Sequence, residues 1–96
     1  MVEKEKMDDN VVFVGSKPPS VYAFSLKTIF EKGINEVMIK SRGKSITNAV
    51  NLVEFMKRTN QVEVKDIKIS SVEHEYEDKK DKKIFVSSIE ITVTKK

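Results

Sequence analysis

Two short basic segments of this 96-residue chain have residue types and spacing suited to ligand binding. The first is Gly15-Ser16-Lys17-Pro18-Pro19. Glycine lets a backbone approach a ligand closely, and a helix starting after it would present unpaired N–H groups to an anion. The GxxxxGK[ST] spacing of a nucleotide-binding loop is absent. The segment predicts a phosphate contact through Ser16 and Lys17, with a plain strand–helix connection as the alternative.

The second segment, Lys40-Ser41-Arg42-Gly43-Lys44, carries three cations within five residues. In an extended strand Lys40 and Arg42 project to one face, roughly 6–7 Å apart. Gly43 then permits a sharp turn. Both basic segments lead from a predicted strand into a predicted helix, so we expect them to meet at one end of the sheet. A solvated strand end is the alternative.

A third candidate is the polar segment 74–83, which we predict to form the tip of a long hairpin. Its lysines, Lys79, Lys80, Lys82 and Lys83, could contact phosphates. Five acidic residues between positions 73 and 81 outnumber them, which favours a solvated loop as the alternative.

The composition excludes several kinds of site. The chain has no cysteine and a single histidine, His74, so we expect no disulfide, metal site or catalytic triad. Paired carboxylates such as Glu75 and Glu77 lie in the polar segment, without the pocket that acid–base catalysis needs. We therefore predict no catalytic residue, no cofactor and no enzyme. No apolar run approaches the ~20 residues of a membrane helix, and the N-terminus is not a signal peptide, so a cytoplasmic protein is expected.

The elements that must position these segments follow from hydrophobic periodicity. Valine and isoleucine number 13 and 9 against two leucines, which favours strands. We predict an α+β domain at 10–96, after a mobile charged tail at 1–9, in the order β-α-β-α-β-β. The strands cover 10–15, 34–41, a stretch from 62 and a stretch ending near 93, and the helices cover 21–32 and 45–59.

Two local patterns refine this scheme. In the second helix one apolar stripe is formed by Ile46, Ala49, Val50, Val53 and either Met56 or Lys57. Leu52 and Phe55 lie beside this stripe and widen it, which indicates a subunit contact. Ser45 is predicted to cap this helix. In the third strand the apolar phase changes between Val64 and Ile67, which indicates a bulge or a bend near residues 65–66.

The net charge of +3 is unevenly distributed. Residues 10–72 carry ten basic and five acidic side chains, giving +5, whereas residues 1–9 carry −2 and residues 73–85 carry −1. A basic body favours a polyanionic partner, with ordinary solubility charge as the alternative.

The motifs and their order resemble the Alba family of archaeal chromatin proteins. They are NVVFVG (10–15), Lys17-Pro18, IKSRGKSI (39–46), Ala49-Val50, Val53-Glu54 and VSSIEI (86–91) followed by Lys95-Lys96. The resemblance implies a two-layer sandwich with a four-stranded mixed sheet, two helices and a long hairpin of the last two strands. It also implies a chromosome-associated protein that binds double-stranded DNA and RNA with little sequence preference.

The resemblance further implies roles for named residues. The nucleic-acid site would comprise Ser16, Lys17, Lys40, Arg42, Gly43 and Lys44, with the hairpin lysines as an arm along the minor groove. A homodimer, or a heterodimer with an Alba paralogue, would form through Leu52, Phe55 and Phe85.

The sequence departs from the family at three places. Ser16 replaces a lysine that many members can acetylate, Thr59 and Asn60 stand where many have a phenylalanine joining neighbouring dimers, and the arm is acidic as well as basic. Two further hypotheses stay open. Relatives of this family imply an RNA-binding subunit of a particle such as ribonuclease P, and the wide face of the second helix with the acidic arm would suit a protein-interaction module.

Overall fold

The computed structural model describes residues 10–76 and 79–96, except for the side chains of residues 74–83. Its strands are β1 (Val11–Phe13), β2 (Glu36–Arg42), β3 (Val62–Tyr76) and β4 (Lys79–Lys95), and its helices are α1 (Pro19–Glu31) and α2 (Ile46–Arg58). The predicted α+β class and β-α-β-α-β-β order are confirmed. The tail predicted at 1–9 lies outside the described residues.

The four strands form one mixed sheet in the order β1-β2-β4-β3. β1 pairs with β2 in parallel, and the other two pairings are antiparallel. The register places Phe13 opposite Lys40 and Ile39 opposite Ile91. Because β1 and β2 run in parallel, the two basic segments that follow them leave the sheet at the same end, as predicted.

Both helices pack on one face of the sheet. Strand residues alternate, and the inward ones form a single core with apolar residues of the helices. The core is centred on Leu26, Val37, Ile39, Leu52, Met56, Ile91 and Val93. On the opposite face Lys40 and Glu90 remain partly exposed. We call that side, which neither helix covers, the open face.

Two expectations about α2 are wrong. Leu52, predicted to face a partner subunit, is fully buried in the core of its own chain. The helix is rotated about its axis so that Leu52 faces the sheet while Val50, placed on the predicted inward stripe, is exposed. Ser45 makes no side-chain cap. It closes a 3₁₀ turn and already has helical backbone angles, whereas a capping serine needs an extended backbone.

The predicted bulge in β3 is confirmed. Val64 pairs with Val93 and Asp66 with Thr92, so Lys65 is the extra residue. One inserted residue offsets the phase change in the sequence. Val64 and Ile67 therefore lie on the same face of the sheet, the face that carries the helices.

The hairpin of β3 and β4 extends further than its sequence indicated. Residues 74–83 were predicted as the tip of the hairpin, but the backbone is in strand conformation up to Tyr76 and again from Lys79. Ladder hydrogen bonds join backbone groups, so a strand can form from polar residues as well as apolar ones. The polar composition therefore did not predict the backbone conformation, and the exposure of these side chains lies outside the described residues.

Candidate functional site

A groove of about 800 Å³ lies where β1 and β2 end. Among its lining residues are Ser16, Lys17, Lys40 and Arg42. These four come from both basic segments, so the convergence expected from the topology is confirmed. Lys40 and Arg42 lie two residues apart on β2, with the buried Ser41 between them, and thus share the open face.

The first basic segment is held by the hydroxyl of Tyr22. This buried side chain on α1 accepts a hydrogen bond from the backbone N–H of Gly15 at 2.8 Å and another from that of Lys17 at 3.1 Å. One oxygen thus binds both ends of a three-residue turn. The turn holds Lys17 at the groove while leaving its ammonium exposed.

Two further side chains fix the same segment from other elements. The Ser41 hydroxyl of β2 donates to the carbonyl of Val14 at 2.8 Å. The Asn48 amide of α2 donates to the carbonyl of Gly15 at 2.9 Å. These two bonds satisfy the carbonyl groups of Val14 and Gly15, which lie just beyond the end of β1.

Sequence reasoning missed these three positioning residues. Ser41 left a signal, because it occupies the inward position that continues the alternation of Val37 and Ile39. A polar residue at such a position needs a buried partner. Tyr22 and Asn48 left no comparable signal, since either residue type is ordinary on a helix.

Lys40 lies between an acid and an aromatic ring. Its Nζ is 3.6 Å from Oε2 of Glu90, its direct neighbour on β4, and 6.0 Å from the ring centroid of Phe13, its neighbour on β1. Phe13 and Glu90 both line the groove, and neither was among the predicted site residues. The site therefore contains three cations, one carboxylate and one exposed ring.

The remaining residues of the second segment lie beside the groove. Gly43 has φ of +60°, a left-handed conformation that favours glycine, and opens the turn that leads into α2. Lys44 follows it and is exposed, but it does not line the groove. The prediction that Gly43 permits a sharp turn is confirmed.

The predicted arm lies partly outside the described residues. The backbones of Lys79, Lys80, Lys82 and Lys83 belong to β4, but their side chains lie outside the description. Their role in nucleic-acid binding stays a prediction.

The predicted dimer residues are not brought together. Leu52 is in the core, and Phe55 lines a separate depression between the helices together with Phe24. Phe85 is exposed on β4. It shares the helix-carrying face of the hairpin with Ile67 and Ile69 of β3, which are also exposed. We call these three residues, Ile67, Ile69 and Phe85, the apolar strip.

Within the described part of the chain, no group of three or more His, Cys, Asp or Glu residues could hold a metal ion. Over the same residues, neither helix combines the length and the apolar character needed to cross a membrane.

A family model, two related sequences and a solved structure that match this chain all belong to one family. Residues 10–71 match the family model described as Alba. A protein of Archaeoglobus fulgidus named "DNA/RNA-binding protein Alba 1" is 42% identical over 92 residues, covering 94% of this chain and 100% of its own. A "DNA/RNA-binding protein Alba" of Methanocella arvoryzae is 43% identical, covering 88% of each chain. The solved structure "Alba from Thermoplasma volcanium" superposes with a TM-score of 0.76 at 32% identity, over 88% of this chain and 99% of that one.

Proposed function

Because this chain belongs to the Alba family, we propose that it binds double-stranded DNA and RNA through their phosphates, with little sequence preference. The observation that carries the proposal is the convergence of Lys17, Lys40 and Arg42 on one groove. The names of the relatives, which give both DNA and RNA as ligands, support it. We further propose that residues 10–96 act as one binding domain that coats chromosomal DNA in the cytoplasm.

The mechanism we propose is electrostatic. Each cation that meets a phosphate displaces a condensed counterion, and this release supplies most of the binding free energy. Phosphates are identical along a duplex, so contacts of this kind carry no sequence information. The hydrogen bonds from Tyr22, Ser41 and Asn48 hold the groove in shape before binding, which lowers the entropic cost of association.

The proposed active species is a dimer joined through the apolar strip. Three large apolar side chains exposed along one face of a hairpin favour burial against a second surface of the same kind. Two copies would double the number of cations facing one duplex. A paralogue with a similar strip could replace one copy, which would give a heterodimer.

Salt dependence tests the phosphate mechanism. Three groove cations per protomer make six per dimer, so the slope of log affinity against log salt on duplex DNA is expected to be about −5. The double variant Lys40→Ala, Arg42→Ala leaves two and is expected to give about −2. Lys27→Ala, Lys32→Ala removes the same charge from positions that do not line the groove and serves as the control.

An unchanged slope for the groove variant would reject the site. Equal-length DNA and RNA duplexes compared at one salt concentration separate a chromatin role from an RNA-particle role. If neither duplex binds below micromolar concentration at low salt, the protein-interaction hypothesis replaces this one.

A further inference from the structure

Phe13 is an aromatic side chain set among the cations of the groove. It is 65% exposed, although aromatic rings are among the side chains that gain most from burial. Its position follows from strand alternation, since Val12 and Val14 on either side of it point into the core. The core therefore does not use this ring, and Phe13 adds an apolar surface to an otherwise charged site.

Phosphate binding does not account for such a ring. Lysine and arginine bind phosphates without aromatic help, and inside a duplex the faces of the bases are stacked on one another. An exposed ring stacks most readily on a base that is free of pairing, because entering a duplex requires unstacking a base step. Cations combined with aromatic side chains are how proteins bind single strands. Phe13 thus points to a substrate class that the cations alone do not specify.

We propose that Phe13 stacks on an unpaired base of single-stranded RNA or DNA while Lys17, Lys40 and Arg42 hold the phosphates next to it. The proposal rests on the proposed function, because it uses the same groove. The ammonium of Lys40 is 6.0 Å from the ring centroid, a separation that the sugar of one nucleotide can span. The open face has no helix above it among the described residues, so a base can approach the ring.

Single-residue variants separate stacking from charge. Phe13→Leu keeps an apolar side chain and removes the aromatic face, whereas Phe13→Tyr keeps both. Phe24→Leu is the matched control, because Phe24 is 70% exposed on α1 and does not line the groove. Since Phe13 lies outside the core, we expect all three variants to have the thermal stability of the parent protein.

The measurement is the affinity of each variant for a single-stranded oligonucleotide and for a blunt duplex of equal length. Phe13→Leu is expected to lose about 5- to 150-fold on the single strand and less than twofold on the duplex. Phe13→Tyr should restore the single-strand affinity, and Phe24→Leu should change neither. RNA and DNA single strands run in parallel show which sugar the site prefers.

A spectroscopic readout follows from the absence of tryptophan in this chain. Phe13→Trp introduces a single indole at the proposed stacking position, and base stacking quenches indole fluorescence. We expect quenching on saturation with a single strand and little change on saturation with the duplex. Phe24→Trp should respond to neither.

The outcomes distinguish this proposal from the proposed function. If Phe13→Leu binds the single strand as the parent does, or loses equally on both ligands, stacking is rejected and phosphate binding stands. If the parent binds neither ligand, both proposals fail. A selective loss on the single strand, together with quenching of the Phe13→Trp indole, supports stacking.

Discussion

The two faces of the hairpin differ in chemistry although the same strands form them. On β3, Ile67 and Ile69 lie on the helix-carrying face and are exposed. Lys68 and Ser70 alternate with them and lie on the open face, in the rows of Glu90 and Ser88. A step of one residue therefore separates an exposed apolar row from a polar and charged one.

This difference shows how a small domain can place the two proposed interfaces on separate faces. A subunit contact gains its free energy from apolar area removed from water, whereas a phosphate contact gains it from charges that stay hydrated until binding. The period of two in a strand sorts these residue types onto opposite faces without extra chain length. We therefore expect a substitution on the helix-carrying face to change nucleic-acid affinity only by changing the oligomeric state. A substitution on the open face should leave the oligomeric state unchanged.

The largest expected effect comes from breaking the strip at Ile69, which is 78% exposed. Ile69→Asp places a carboxylate in the proposed subunit contact, where its desolvation is unfavourable. We expect the mass in solution to fall from that of a dimer to the 11.0 kDa of one chain. Duplex affinity should fall about 100-fold or more, because two linked sites become two separate ones.

Sedimentation analysis and duplex titration of the same samples test this result. Phe24→Asp is the control, since it places the same charge at an apolar residue of α1 that is 70% exposed. A dimeric Ile69→Asp protein would show that the strip is not the contact. A monomer with parent affinity would show that dimerisation does not serve binding.

The sequence predicted the fold well because the fold depends on periodicity. The bulge at Lys65 was predictable from the phase change between Val64 and Ile67. The orientation of α2 was not, because Val50 and Leu52 are both apolar and lie on opposite sides of the predicted stripe. Only the packing of the helix against the sheet decides which of the two is buried.

The next effect concerns the hydroxyl of Tyr22. Tyr22→Phe keeps the ring in the core and leaves the N–H groups of Gly15 and Lys17 without their acceptor. We expect the free energy of unfolding to fall by about 1–3 kcal/mol, measured by urea denaturation. Duplex affinity should fall as well, because the turn that presents Lys17 is no longer fixed.

Ser25→Ala provides the comparison for this variant. It removes a hydroxyl on the same helix that bonds only to the carbonyl of Val21 at an exposed position. We expect a change within about 0.5 kcal/mol. A Tyr22→Phe protein as stable as the parent would mean that water satisfies the two N–H groups equally well.

A smaller effect is expected from adding a cation at Ser16. This residue lines the groove and is exposed, so Ser16→Lys introduces one further phosphate contact per protomer. For a dimer the slope of log affinity against log salt should become more negative by about 2. Ser20→Lys adds the same charge at an exposed position that does not line the groove, and should leave the slope unchanged.

Only some of the residues that line the groove could be predicted from the sequence. Its cations were predictable because their spacing along β2 and the parallel pairing of β1 with β2 determine where they point. Glu90 and Phe13 were not, because they reach the groove through cross-strand register with Lys40, and register depends on the whole sheet. Glu90 and Phe13 are far from Lys40 in the sequence, so a local sequence pattern does not show that they are its neighbours.

The smallest expected effect comes from removing the charge of Glu90, the cross-strand neighbour of Lys40. Glu90 holds the ammonium of Lys40 at 3.6 Å in a half-exposed ion pair, and such a pair contributes up to about 1 kcal/mol. Glu90→Gln releases Lys40 for phosphate, so we expect duplex affinity to rise by up to about fivefold per groove at low salt. Glu36→Gln is the matched control, because Glu36 pairs with Lys65 at the other end of β2. An equal gain for both variants would mean that net charge alone sets the affinity. A gain confined to Glu90→Gln means that this carboxylate weakens binding from within the groove.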